Sequence, residues 1–73
     1  MADIEDTQQL GLLIRTERKR QSLTQEQLAA LTGVGVRFVR ELERGKETCR
    51  IGLALQVLAT LGLSLQLHGR SDP

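Results

Sequence analysis

Apolar residues recur at helical spacing from Leu10 to Leu61, and the pattern breaks at turn-forming residues. The first stripe also includes the aliphatic stem of Arg18, and it predicts a helix from Thr7 to about Gln21. Asp6 or Thr7 can cap the start of this helix with a side-chain oxygen. Its apolar members are Leu10, Leu13 and Ile14.

Two shorter helices follow, with glycines between them and after them. Thr24 and Gln27 have the spacing of a capping box, which predicts a second helix from Thr24 to Thr32. Gly33 suits a left-handed C-terminal cap. A third helix is predicted from Val36 to about Arg44, ending before Gly45. The side chains predicted to point inward are Leu28, Ala29 and Leu31 in the second helix, and Val39 and Leu42 in the third.

A fourth helix is predicted from about Arg50 to Leu61, and Gly62 ends it. Its predicted inward face consists of Ile51, Leu55, Leu58 and Leu61. Cys49 precedes this helix, and we expect it to be a small buried apolar residue.

Residues 63–68 differ from the rest because apolar and polar side chains alternate with a period of two, which is typical of a strand. A single strand cannot satisfy its backbone groups within one subunit, so it must lie in water, pair with a copy of itself or pair with another protein. Pairing across a homodimer is the preferred interpretation, because a chain of 73 residues buries only a modest core alone. The other interpretation is a tail that extends the core. The candidate dimerisation residues are Leu63, Leu65 and Leu67.

Length predicts a single domain over residues 1–73, with a helical core at 7–62, a dimerisation strand at 63–68 and flexible ends at 1–6 and 69–73. The chain has one cysteine and one histidine, His68, which are too few for an internal disulfide, a four-ligand zinc site or a Cys-His catalytic set. We therefore expect no enzyme activity, no cofactor, no metal and no small-molecule ligand.

We expect a cytoplasmic protein, because the start of the chain is acidic and lacks an apolar signal stretch. No apolar run is as long as a membrane-spanning helix, which needs about 18 residues. An unpaired cysteine also suits a reducing compartment.

The formal net charge of +1 conceals an uneven distribution. Residues 12–50 carry nine basic and five acidic side chains, a difference of +4, whereas the first six residues carry three acids. A basic face is typical of nucleic-acid binding, but solvated charges on helices produce the same count. Charge alone leaves both interpretations open.

The two short helices and their glycine turn, from Thr24 to Gly45, predict a helix-turn-helix, in which the later helix enters the major groove of DNA. Arginine is the commonest reader of guanine O6 and N7, and the start of a helix can hold a phosphate. Glu41 either accepts from cytosine N4 or repels phosphate, and Phe38 packs on the core or lies on a sugar-phosphate edge. The candidate DNA-binding residues are Thr24, Gln25, Gly35, Val36, Arg37, Arg40, Glu41, Arg44 and Lys46.

The segments Leu23–Ala29, Gly33–Val34 and Leu42–Lys46 resemble the Xre family of helix-turn-helix proteins, which includes the lambdoid phage repressors and Cro. The resemblance covers about residues 10–62. It implies a mainly α, lambda-repressor-like domain of four to five helices, to which we add one short C-terminal β-strand pairing across a homodimer.

The Xre resemblance also implies roles for single residues. In that family the residue matching Gln25 holds a phosphate, and an arginine matching Arg18 forms a structural ion pair with a glutamate matching Glu43. If exposed, such a pair contributes only about 0–1 kcal/mol, so we expect it to orient helices rather than stabilise them. The positions that face the bases or the adjacent backbone match Val36, Arg37, Arg40 and Glu41.

This chain departs from the Xre pattern at two positions. Gly35 stands where a polar residue often begins the third helix, so the N-cap there is weaker by about a few tenths of a kcal/mol. Val36 replaces a polar side chain, so its contact would be apolar, for example with a thymine methyl.

Residues 38–48 and 55–65 resemble a narrower group, the HipB-type antitoxins. In those proteins the C-terminal strand pairs across a dimer that represses its own operon and binds a HipA-type kinase toxin. The resemblance implies an autoregulating antitoxin with operator DNA, a second copy and a HipA-type kinase as partners. Two alternatives stay open: a stand-alone Xre-type repressor without a toxin, and a protein-interaction module whose helix-turn-helix is structural.

Overall fold

The computed structural model describes residues 3–69, which form four helices and no strand. In chain order these are α1 (Thr7–Arg20), α2 (Gln25–Thr32), α3 (Val36–Glu43) and α4 (Ile51–Thr60). Each end lies within one residue of its predicted position, and the mainly α fold is confirmed. None of the described helices is both long and apolar enough to cross a membrane. Of the predicted flexible ends, residues 1–2 and 70–73 lie outside the described residues, whereas residues 3–6 and 69 are described.

Side-chain caps fix where the first two helices begin. Asp6, with an extended backbone, accepts a hydrogen bond from the backbone N–H of Gln9 at 2.8 Å, so it is the cap of α1. Thr24 accepts from the N–H of Gln27 at 3.0 Å, and the Gln27 side chain accepts from the N–H of Thr24 at 2.8 Å. This is the predicted capping box, and each such cap contributes about 1 kcal/mol to helix stability.

All four helices contribute to one apolar core. Phe38, Cys49 and Leu63 are partly buried and pack against this cluster, so Phe38 takes the first of its two predicted placements. The buried apolar residues are Ile14, Leu28, Ala29, Val39, Leu42, Ala54, Val57, Leu58 and Leu61.

Three residues predicted to be buried are exposed instead. Ile51 and Leu55 in α4 are 66% and 43% exposed, and Leu31 in α2 is 65% exposed. The buried face of α4 is Ala54, Val57, Leu58 and Leu61, which follows the i, i+3, i+4, i+7 spacing more closely than the predicted set.

The reason for each error is geometric. α4 contacts α2 and buries Ala54, Val57 and Leu58, whereas Leu55 lies about 100° around the helix from Ala54, outside the buried arc, and Ile51 is the first residue of the helix. In α2 the buried positions are Leu28 and Ala29, and Leu31 lies about 110° around the helix from the midpoint between them, beyond the edge of the buried face.

α1 and α3 approach each other closely at a glycine that the sequence pattern does not single out. Gly11 is buried, and a Cβ placed there would lie 2.5 Å from the carbonyl oxygen of Leu42. Nearby, the hydroxyl of Thr7 donates to the carbonyl oxygen of Gly45 at 2.7 Å. The start of α1 is therefore fixed against the end of α3.

The tail from Leu63 to Gly69 follows α4 without forming a strand. Leu63 is half-buried against the core, whereas Leu65 and Leu67 are exposed and line a shallow groove together with Ile4 and Leu13. The predicted strand needs a second chain to pair with, so its pairing across a homodimer stays a prediction.

Candidate nucleic-acid interface

The turn between α2 and α3 sets the direction of α3. Gly33 adopts a left-handed backbone with φ of +86°, and the N–H groups of Gly33 and Val34 both donate to the carbonyl oxygen of Ala29, at 2.9 and 3.0 Å. Gly35 is the N-cap of α3 and provides no side-chain hydrogen bond, as predicted for this position. The chain thus turns within the three residues between α2 and α3 and leads directly into α3.

Buried side chains hold the inner face of α3. Val39 is fully buried and Leu42 almost so, and both belong to the core. The opposite face of the helix therefore points to solvent, and the loop after it carries Lys46. We call this set of exposed and partly exposed residues the reading surface; it consists of Val36, Arg37, Arg40, Glu41, Arg44 and Lys46.

The members of the reading surface differ in accessibility. The side chain of Arg37 is 88% exposed, and Arg40 and Arg44 are also exposed. Val36 is only half-exposed because it packs partly against the core. The arginines are thus the most accessible groups on α3.

Carboxylates pair with most of the cations on the reading surface. Glu41 Oε2 lies 3.2 Å from Arg37 Nε and 3.2 Å from Lys46 Nζ. Hydrogen bonds from Lys46 first, and from Arg37, hold the pKa of Glu41 below its ordinary value. Arg40 is 3.4 Å from Oε2 of Glu26, on α2. Glu41 is therefore an ionised bridge at the centre of this surface.

The ion pair between Arg18 and Glu43 is present and ties α1 to α3. Arg18 donates from Nε and Nη2 to the two carboxylate oxygens of Glu43 at 2.6 and 3.0 Å, and from Nη1 to the carbonyl oxygen of Leu23 at 2.7 Å. Only 9% of the Arg18 side chain and 3% of the Glu43 side chain are exposed. The pair is buried, not exposed, so removing one partner would leave an uncompensated buried charge, which costs more than the loss of an exposed pair.

Gln25 belongs to the same network. Its side-chain nitrogen donates to Oε1 of Glu43 at 3.1 Å, which fixes the amide at the start of α2. Gln25 is the predicted phosphate-binding residue, and Thr24, its neighbour, is exposed as the N-cap. The structure therefore holds the Gln25 side chain in place from the side of α3.

A polar cleft opens beside this network, between α1, the start of α2 and α3. Arg18, Gln25 and Glu43 form part of its lining, and the exposed Arg15, Arg40 and Arg44 complete it. Three exposed guanidinium groups around one cleft favour an anion such as a phosphate diester. Arg15 is absent from the predicted site, because at the sequence level an exposed arginine of α1 looks like any solvated helix charge.

Several candidate residues lie away from the reading surface. Leu63, Leu65 and Leu67 are in the tail, and His68 is exposed beyond them. Burial raises the pKa of the half-buried Cys49 thiol. Within residues 3–69, no cluster of three or more potential metal ligands occurs.

Known proteins resemble this chain in sequence and in fold. A family model described as "Helix-turn-helix" matches residues 14–67. The curated relative "Uncharacterized HTH-type transcriptional regulator y4mF", from Sinorhizobium fredii (strain NBRC 101917 / NGR234), is 52% identical over 58 residues, which cover 80% of this chain and 76% of the relative.

Two solved structures show the same fold at lower sequence identity. The "HipA-HipB-O2-O3 complex" contains a chain with a TM-score of 0.87 and 21% identity, covering 97% of this chain and 100% of that one. A chain of the "HipB-O4 20mer complex" also has a TM-score of 0.87 and 21% identity, and the match covers 97% of this chain and 100% of that one. The family match and the curated relative extend this likeness to the sequence, and this chain therefore belongs to the Xre-like helix-turn-helix family of transcriptional regulators.

Proposed function

We propose that this protein is a sequence-specific DNA-binding repressor that places α3 in the major groove of its operator. The observation that carries the proposal is the reading surface, where Arg37 and Arg40 extend into solvent from a helix whose other face is held by Val39 and Leu42. A rigidly held helix with exposed arginines can make bidentate contacts with guanine O6 and N7. Val36 contacts a thymine methyl at the start of the same helix.

Other residues of the site contact the DNA backbone. Gln25, oriented by Glu43, and the exposed start of α2 at Thr24 hold one phosphate. Gly35, with no side chain at the start of α3, allows the backbone to approach the DNA closely. Arg44 and Arg15 neutralise a phosphate at the polar cleft, and Lys46 neutralises another beyond α3. These contacts set the position of the protein on DNA, and base contacts supply the specificity.

We infer that the working unit is a homodimer in the cytoplasm. Leu65 and Leu67 are exposed in a tail that alternates apolar and polar residues, and pairing two such tails would cover them. A two-fold dimer presents two copies of α3, which predicts an operator with two-fold symmetric half-sites.

We further propose that the protein is the autoregulating antitoxin of a HipBA-like toxin-antitoxin operon, with a HipA-type kinase as its partner. Residues 38–48 and 55–65 carry the sequence resemblance to HipB-type antitoxins, and solved HipB chains share the fold, one of them in a complex with HipA. The stand-alone repressor and the interaction module are the competing functions. Co-expression with the product of the adjacent gene tests the toxin partnership: a kinase-like protein that co-purifies supports it, and its absence favours a stand-alone repressor.

Selection of duplexes from a random library tests the DNA proposal. The purified protein should enrich a two-fold symmetric sequence at physiological salt, because each subunit presents the same reading surface. If repeated rounds enrich no sequence, the interaction module becomes the better account of the fold.

A further inference from the structure

We propose that Glu41, assisted by Glu26, holds the cations of the reading surface in the free protein and thereby weakens binding to DNA of arbitrary sequence more than binding to a cognate site. The inference rests on the proposed function, because it concerns how α3 discriminates between duplexes. It assigns to two carboxylates a role in specificity that depends on charge rather than on shape.

The contacts show which cations are held. Oε2 of Glu41 lies 3.2 Å from both Arg37 Nε and Lys46 Nζ. Oε2 of Glu26 lies 3.4 Å from Nη2 of Arg40. Of the cations on the reading surface, these three are therefore paired before any DNA arrives. A phosphate that binds one of them must displace a carboxylate and then remain near its negative charge.

The stability of α3 does not explain the position of Glu41. Glu41 lies in the last turn of an eight-residue helix, where a negative charge opposes the helix dipole. Its pair with Arg37 also has the arginine on the N-terminal side at i, i+4, which is the weaker order for such pairs. The contacts of Glu41 instead join two cations of the reading surface, Arg37 and Lys46, which points to an effect on that surface.

The displaced pairs affect the two kinds of DNA differently. Binding to arbitrary sequence derives almost all of its free energy from contacts between cations and phosphates, so it bears the full cost of separating the pairs. At a cognate site the arginines bond to guanine, and the freed Glu41 carboxylate can accept a hydrogen bond from cytosine N4. The cost is recovered only where the base sequence provides those partners, which raises the ratio of specific to non-specific affinity.

Glu41→Gln is the direct test, and Glu17→Gln is its matched control. Glu17 pairs with Arg20 on α1, and Gln21 joins it to the carbonyl oxygen of Leu61 at the end of α4. The control therefore removes the same charge and frees an arginine at a different part of the molecule. Glu26→Gln, which frees Arg40, provides a second variant if Glu41→Gln fails to fold.

Two labelled duplexes serve as probes: the sequence enriched by the wild type in selection, and a mixed-sequence duplex of equal length. For Glu41→Gln, we expect about tenfold tighter binding to the mixed-sequence duplex, because Arg37 and Lys46 then reach phosphates without first separating from a carboxylate. Affinity for the enriched duplex should change by less than about threefold, because its base contacts already recover the cost. Glu17→Gln should shift both duplexes equally.

An unchanged ratio of the two affinities in Glu41→Gln, or a change that Glu17→Gln reproduces, would overturn the inference. Weaker binding of Glu41→Gln to the mixed-sequence duplex would do the same. These failures differ from a failure of the proposed function, in which the wild type itself enriches no sequence.

Discussion

At the scale of single residues, the buried network of Arg18, Glu43 and Gln25 connects the architecture to the site. Arg18 donates hydrogen bonds to both carboxylate oxygens of Glu43 and to the carbonyl oxygen of Leu23, so it fixes the loop that leads into α2. Gln25 takes its position from the same carboxylate. The sequence predicts that the Arg18–Glu43 pair only orients the helices. The structure changes this prediction, because both charges are buried and neither is compensated if the other is removed.

Removing one partner of this pair should destabilise the fold strongly. Glu43→Ala should lower the free energy of unfolding by about 3–5 kcal/mol, because it leaves the Arg18 guanidinium buried without its counter-charge. Urea denaturation monitored by circular dichroism measures the change. Arg18→Met combined with Glu43→Leu should recover most of the loss, since no charge then stays buried. A loss below about 1 kcal/mol for Glu43→Ala would show that the pair behaves as an exposed one.

Gly11 is required by the close approach of α1 and α3. Gly11→Ala should cost about 1–3 kcal/mol of stability, because the new methyl group meets the backbone carbonyl oxygen of Leu42, which cannot move aside without shifting α3. Thermal unfolding measures this cost.

Gly52→Ala is the matched control, because Gly52 is exposed in α4 and has open space around its Cβ position. That change should stabilise the protein by about 0.5–1 kcal/mol, the usual gain of alanine over glycine within a helix. Equal unfolding temperatures for the two variants would contradict the packing described here.

At the scale of elements, the sequence locates the helices well and their orientations less well. Caps and glycines mark most of the helix ends locally, and the apolar spacing marks the others, so every boundary is predicted within one residue. The buried side of α4 depends on its contact with α2, and leucine and isoleucine suit either side of a helix equally, so the prediction that Ile51 and Leu55 are buried is wrong. Arg15 was missed for a similar reason: only the packing of α1 across from α3 brings it to the cleft.

Lys46 should contribute to affinity without contributing to specificity. Lys46→Ala should weaken binding to all duplexes alike and reduce the salt slope by about 0.9, the loss of one phosphate contact. Titration of the enriched and mixed-sequence duplexes at several salt concentrations measures both quantities. A loss confined to the enriched duplex would instead place Lys46 among the base-reading residues.

At the scale of the whole molecule, the tail is the part whose role depends on a second chain. The helices of residues 7–60 form the core that one subunit can bury alone, whereas Leu65 and Leu67 stay exposed on the segment after Gly62. Alternation in the sequence indicates a strand, but a strand is defined by its partner, so neither the sequence nor a single chain determines how two tails pair.

Truncation after Gly62 should yield a monomer or an unfolded chain, because it removes the proposed strand and its leucines. Light scattering measures the mass in solution. Truncation after Gly69 is the matched control, since it keeps residues 63–69 and should remain dimeric. If the chain that ends at Gly62 forms a stable dimer, the strand does not join the subunits, and the contact between them lies in the helices.

The central claim is that α3 reads DNA sequence through Arg37 and Arg40. The most direct test is the affinity of variants at these two positions for the enriched duplex. Arg37→Ala and Arg40→Ala should each lose about 1–3 kcal/mol of preference for that duplex over mixed sequence, while light scattering shows an intact dimer. Arg20→Ala, which removes an exposed arginine from the end of α1, should leave the preference unchanged. If either α3 variant keeps the full preference of the wild type at physiological salt, that arginine does not read the sequence, and if both keep it, the assignment of α3 as the reading helix is wrong.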